Sequence, residues 1–186
     1  DAVADPRLRV YLYHIPPVAQ VGISLALIER LLAAYPGVIA GIKDSSGDWN
    51  NTKAMLDAIA AQRFDVFAGS ETFLLANLRH GGKGCISATA NVNPAAIHEL
   101  YEHWRDADAD ARQQRLDAVR AAFQKRPMIA AMKAAIAHWS DDAVWQTVRP
   151  PLVDLAADAS ATLVEELGAL GFAMPALATT SVAGRA

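Results

Sequence analysis

The chain of 186 residues is 53% hydrophobic and 20% charged, with a formal net charge of −3; this supports a packed core and excludes both global disorder and a basic nucleic-acid groove. Its single cysteine, Cys85, excludes an intrachain disulfide, supplies no metal cluster and fits a reducing, cytoplasmic setting. No apolar stretch approaches the ~20 residues of a membrane span, and the opening Asp-Ala-Val-Ala-Asp-Pro lacks the basic-then-apolar pattern of a signal peptide.

Leu8 to Tyr13 reads as a strand, stopped by His14-Ile15-Pro16-Pro17. Ser24 caps a helix with Leu25, Ile28, Leu31, Leu32 and Tyr35 on its apolar face, ended by Pro36-Gly37. Gly37 to Ile42 is an apolar run too short for a helix, so it reads as a buried strand closed by Lys43. Asp44-Ser45-Ser46-Gly47-Asp48 reads as the turn after it, and Asp48 caps a helix that points Met55, Leu56 and Ile59 inward. Phe64 to Ala68 is a third strand, stopped by Gly69-Ser70. Glu71 to His80 is a short helix closed by Gly81-Gly82, and Gly84 to Ser87 a fourth, very short strand. Pro94 then opens a helix, where its missing N–H is tolerated. Beyond it the strands stop. Amphipathic helices follow over roughly 94–105, 107–124, 127–139 and 160–170, and Val148-Arg149-Pro150-Pro151-Leu152 breaks between the last two.

Alternating strands and helices with short loops specify βα units and a parallel sheet. Four such units make either a small open sheet or half of an eight-unit barrel, whose full form takes ~250 residues. A flavodoxin-like sheet is the weaker alternative, because no Gly-rich phosphate loop follows the first strand. Lys43 stands out. A lysine at the edge of an apolar core is costly unless its charge is paired or removed. A neutral lysine amine is a nucleophile for carbonyl carbon. From position alone, Lys43 reads first as a solvated strand end. Tyr13 also ends a strand, and Tyr11, on the same face but deeper, reads as the core tyrosine.

Four segments become specific when taken together: Tyr11-Leu12-Tyr13-His14-Ile15-Pro16, Gly41-Ile42-Lys43-Asp44-Ser45-Ser46-Gly47-Asp48, Ala68-Gly69-Ser70-Glu71, and Gly81-Gly82-Lys83-Gly84-Cys85-Ile86-Ser87 with Ala90-Asn91. Their order and spacing resemble the dihydrodipicolinate synthase / N-acetylneuraminate lyase family over roughly residues 8–170. The resemblance implies a (β/α)8 TIM barrel of which the last four βα units are present. Residues 1–93 would then be the second half of the barrel, 94–175 the final barrel helix and a helical extension, and 176–186 a flexible tail.

The resemblance also implies class I aldolase chemistry, in which Lys43 forms a Schiff base with pyruvate or another 2-oxo acid and Tyr13 relays protons. Gly69 and Ile86 would line the 2-oxo acid pocket through their backbone, with the Ile86 side chain in the core. Ser70 and Glu71 would contact the distal part of the substrate, although Glu71 is equally readable as a helix-dipole partner. Such enzymes are homo-oligomers, dimers or tetramers, and use no metal or organic cofactor. The family's Gly-Thr-Thr-Gly-Glu loop, which holds the substrate carboxylate, belongs to the absent units. The chain alone therefore reads also as a catalytically incomplete half-barrel.

Two departures narrow the substrate. Val18 stands where dihydrodipicolinate synthases have an arginine for a substrate carboxylate, and it cannot make a charge-assisted bond. Ala88 and Ser70 replace the serine and aspartate of sialic acid lyases. 2-Oxo acid aldolases and aldolases or dehydratases of 2-keto-3-deoxy sugar acids remain. His98, His103 and His138 lack metal-ligand spacing. Trp104, Trp139 and Trp145 read as packing in the helical extension, and Lys133 as a surface or interface residue.

Overall fold

The computed structural model describes residues 5, 7–59, 63–175 and 177. The tail expected over 176–186 lies outside them except for Leu177. Strands β1 (Val10–His14), β2 (Ile39–Asp44), β3 (Asp65–Ala68) and β4 (Gly84–Cys85) form one parallel sheet in that order. Helices α1 (Pro16–Ala19) and α2 (Leu25–Ala34) connect β1 to β2, α3 (Trp49–Ile59) connects β2 to β3, and α4 (Leu74–Arg79) connects β3 to β4. Helices α5 (Pro94–Glu102), α6 (Ala109–Gln124), α7 (Met128–Ser140) and α8 (Ala157–Ala169) complete the chain.

The starts of these elements follow from local chemistry. Ser24 Oγ accepts the Leu27 amide at the head of α2, and Asp48 Oδ1 accepts the Asn50 amide at 2.9 Å ahead of α3. Each cap satisfies an amide that the helix itself leaves unpaired. The four-residue α1, which the sequence reads as loop, starts on Pro16, whose fixed φ suits a first helical turn. It stops at Gln20, which takes the left-handed conformation with φ 55°. The fourth strand is shorter than expected and ends at Cys85, although the Ile86 amide still donates to the Ala68 carbonyl at 2.9 Å.

The chain divides into two compact units: Asp1–Ala88 with Leu100–Ala109, and Thr89–Glu99 with Asp110–Ala186. In the first, one sheet face carries Val10, Leu12, Ile42 and Val66, which pack with Ile28, Met55 and Ile59 of α2 and α3 into one apolar core. The other face carries Tyr11, Tyr13, Lys43 and Phe67 and stays partly open; Tyr11 is 49% exposed and Tyr13 51%. Parallel sheets ordinarily have both faces covered. The expectation of a core Tyr11 is corrected accordingly: its hydroxyl donates to Asp65 Oδ2 at 2.8 Å, and its ring meets Phe67 edge-on.

The second unit is helical. Phe123, Ala131, Ala135, Leu163 and Leu167 of α6, α7 and α8 form its core, with Phe172 edge-on to both Phe123 and Trp139. The inward positions of α7 are mostly alanine, which lets neighbouring backbones approach closely. Glu166 accepts from Arg126 and Lys125 at its surface.

Candidate functional site

Lys43 and Tyr13 are each the penultimate residue of a strand, and they are register partners across the β1–β2 ladder. Parallel partners share a face, so both side chains rise from the open side of the sheet. Lys43 Nζ donates to Tyr13 Oη at 3.0 Å and lies 4.2 Å from the centre of its ring. The lysine's hydrogen bond holds the Tyr13 phenol below its ordinary pKa. Partial desolvation opposes this, and the Ser45 hydroxyl and the lysine's charge add to it.

One residue further along, the chain turns to the opposite face. His14 and Asp44 are register partners there, 7% and 3% exposed. Asp44 accepts from Thr52 Oγ1 at 2.6 Å, from the Ser46 amide at 2.9 Å and from Asn51 Nδ2 at 3.1 Å. A carboxylate this buried needs such donors. His14 Nδ1 accepts the Ile23 amide at 2.9 Å, which places the ring proton on Nε2, 4.0 Å from Asp44. Backbone bonds from Ser45 to His14 and from Gly69 to Asp44, both 2.7 Å, extend the ladder past the strand ends. Lys43 and Tyr13 thus stand beside a hydrogen-bonded shelf formed by the strand ends.

Gly69 follows β3 directly. A Cβ there would sit 2.2 Å from Ser45 Oγ and 2.7 Å from the Asp44 carbonyl, so only glycine fits. Ser70 caps the short turn after it by accepting the Thr72 amide. Glu71 is 1% exposed, and its carboxylate accepts from the Ser87 hydroxyl. It is turned into the fold, and its bond to Ser87 ties the segment after β3 to the segment after β4. Ile86 is 49% exposed, which corrects the expectation of a core side chain. Lys43, Tyr13, Gly69 and Ile86 therefore all mark the C-terminal ends of neighbouring strands, and Ser70 and Glu71 follow at once. Sequence reasoning passed over His14, Asp44 and Ser45. The signal was present for Ser45 alone, in the Ser-Ser-Gly turn directly after the lysine.

Among the described residues no group of three or more His, Cys, Asp or Glu could hold a metal ion, and no helix is long and apolar enough to cross a membrane.

The model of the dihydrodipicolinate synthetase family matches residues 1–170. A DapA-like lyase of Chloroflexus aurantiacus is 35% identical over 156 residues, which cover 83% of this chain and 51% of that protein. A 4-hydroxy-tetrahydrodipicolinate synthase of Gluconacetobacter diazotrophicus is 32% identical over 175 residues, 91% of this chain and 57% of that protein. Among solved structures, YagE of E. coli K12, a prophage protein of the dihydrodipicolinic acid synthase family in complex with pyruvate, matches with a TM-score of 0.79 and 29% identity, over 89% of this chain and 57% of YagE. The chain spans about half the length of the curated relatives it matches.

Proposed function

Since the chain belongs to the dihydrodipicolinate synthetase family, we propose that it supplies the lysine and tyrosine of a Schiff-base lyase acting on pyruvate or another 2-oxo acid. The observation that carries this reading is the 3.0 Å contact between Lys43 Nζ and Tyr13 Oη at the C-terminal ends of parallel strands, where barrel enzymes keep their chemistry. The neutral Lys43 amine attacks the C2 carbonyl. Tyr13 passes a proton to the resulting carbinolamine oxygen, which leaves as water, and an iminium remains. The iminium draws electrons, so C3 can lose a proton or break its bond to C4. The tyrosinate left by that transfer then takes the proton released from C3, or from the C4 hydroxyl as the C3–C4 bond breaks, while the bond's electron pair passes to the iminium.

In this reading Gly69 lets the substrate approach the backbone, and the backbone of Ile86 lines the same pocket. Ser70 meets the distal part of the substrate, and Glu71 acts there through Ser87, which its carboxylate engages. Val18 is 74% exposed beyond β1 and offers no charge, which favours a 2-keto-3-deoxy acid aldolase or dehydratase over a true dihydrodipicolinate synthase. The intact enzyme is a cytoplasmic homodimer or homotetramer that needs no cofactor.

The test is borohydride reduction in the presence of pyruvate. One reduced adduct is expected, on the peptide containing Lys43, and none in Lys43→Ala. Turnover without an adduct on that peptide would sink the reading. A second reading rests on the open sheet face with its half-exposed Tyr11 and Tyr13: this chain is catalytically incomplete until further βα units or a second copy cover that face. Size-exclusion chromatography together with pyruvate binding separates the two, because a monomer that turns over 2-oxo acids contradicts the second.

A further inference from the structure

The N-terminal ends of the strands, away from Lys43 and Tyr13, open on a cleft of about 630 Å³, within the ~300–1,000 Å³ usual for small-molecule sites. Its cations come from residues just ahead of strands. Arg9 stands before β1, Arg63 shortly before β3 and Lys83 before β4. Buried Leu56, Ile59 and Val66 give it an apolar floor. Asp65 is the acidic residue among the described lining, and it is already engaged: Tyr11 donates to its Oδ2 at 2.8 Å, and Lys83 Nζ lies 3.8 Å from its Oδ1. Among the described lining residues three cations stand against one carboxylate, in a chain whose net charge is −3, and Arg9 Nη1 also donates to the Leu8 carbonyl at 2.8 Å.

The wall that carries Lys83 is fixed. Asn77 is fully buried and donates from Nδ2 to the Val66 carbonyl at 3.0 Å and to the Gly84 carbonyl at 2.8 Å. The Gly82 amide returns to the Asn77 carbonyl at 2.7 Å, and the Lys83 amide donates to the Val66 carbonyl at 2.9 Å. A Cβ at Gly82 would lie 2.2 Å from Asn77 Oδ1, so the loop is moulded onto this side chain.

Guanidinium groups present paired N–H donors that match the oxygens of carboxylates and phosphates. We propose that this cleft binds a small organic dianion, a phosphate monoester or a dicarboxylate, through Arg9 and Arg63, with Lys83 shared between the ligand and Asp65. The reaction at Lys43 does not use this end of the strands, so the site is separate from the catalytic one.

The test is calorimetric titration of the full chain at low ionic strength with glycerol 3-phosphate and, separately, with succinate. One saturable site is expected for at least one probe, and the responding probe distinguishes the phosphate from the dicarboxylate source. Arg9→Gln and Arg63→Gln should each weaken binding about tenfold or more, while Lys43→Ala leaves it unchanged. Both arginines are exposed, so thermal unfolding of the variants should match the parent and show that folding is intact. Absence of a saturable site, unchanged binding in the double arginine variant, or loss of binding in Lys43→Ala would each overturn the proposal.

Discussion

Tyr11 and Tyr13 stand two residues apart on one strand face, yet their phenols meet opposite charges. Tyr13 accepts from Lys43, which lowers its pKa, whereas Tyr11 donates to the Asp65 carboxylate, which together with desolvation raises its own. Absorbance titration of the phenols should show Tyr13 ionising below the ordinary ~10 and Tyr11 above it. Lys43→Met should return Tyr13 upward and leave Tyr11 in place; coincident transitions in the parent chain would contradict this assignment. Tyr13, with a depressed folded value, adds stability above its unfolded pKa and loses it as pH falls through the folded value. Tyr11 has a raised folded value, so its contribution is present below the unfolded pKa and lost as pH rises through the folded one. The positions of Lys43 and Tyr13 were legible because a strand end followed by a turn is a local pattern. His14 and Asp44 were not, because their partners Ile23 and Thr52 are supplied by folding. Tyr11, read as core from its depth along β1, and Ile86, read as a core strand side chain, are both about half exposed, because strand position does not say which faces are covered.

Longer elements were legible where Gly, Pro or a capping side chain marks a boundary. The Ser24 cap, the Asp48 cap and the turn after Lys43 all stand where the sequence indicates. The four-residue α1 was not, since one turn carries no hydrophobic period. Two substitutions test what holds strand ends together. Gly69→Ala drives a methyl against the Asp44 carbonyl and should cost roughly 1–3 kcal/mol of stability by denaturant unfolding. Asn77→Leu removes the donor to the Gly84 carbonyl, while the Val66 carbonyl keeps the Lys83 amide, and should cost roughly 1–3 kcal/mol. The exposed Lys53–Asp57 pair on α3 makes the contrast: its 2.6 Å contact is the shorter, yet Lys53→Ala should shift stability by only about 0.5 kcal/mol or less, because water and salt screen it. A larger loss for Lys53→Ala than for Asn77→Leu would invert this ranking.

Over the whole molecule, each compact unit holds an apolar core of its own. Leu163 is fully buried among the helices of the second unit, and Leu163→Ala should cost about 2–5 kcal/mol, read as a lowered denaturant midpoint. The four βα units were legible because alternation repeats along the chain. The path of the compact-unit boundary through α5 was not, because a helix that contributes to two units has no local signature. The register that sets Tyr13 opposite Lys43 also makes the candidate chemistry a matter of parity. Strand side chains alternate with a period of two. One residue inserted between Gly41 and Lys43, with Gly41 held opposite Tyr11, would send the amine to the helix-covered face and turn Asp44 onto the open one. Two inserted residues would restore the face but displace the amine by about 6.6 Å along the strand, beyond reach of the phenol. The spacing from Gly41, where regular pairing with β1 resumes, to Lys43 is thus fixed as an integer: odd insertions invert the face, and even ones overshoot.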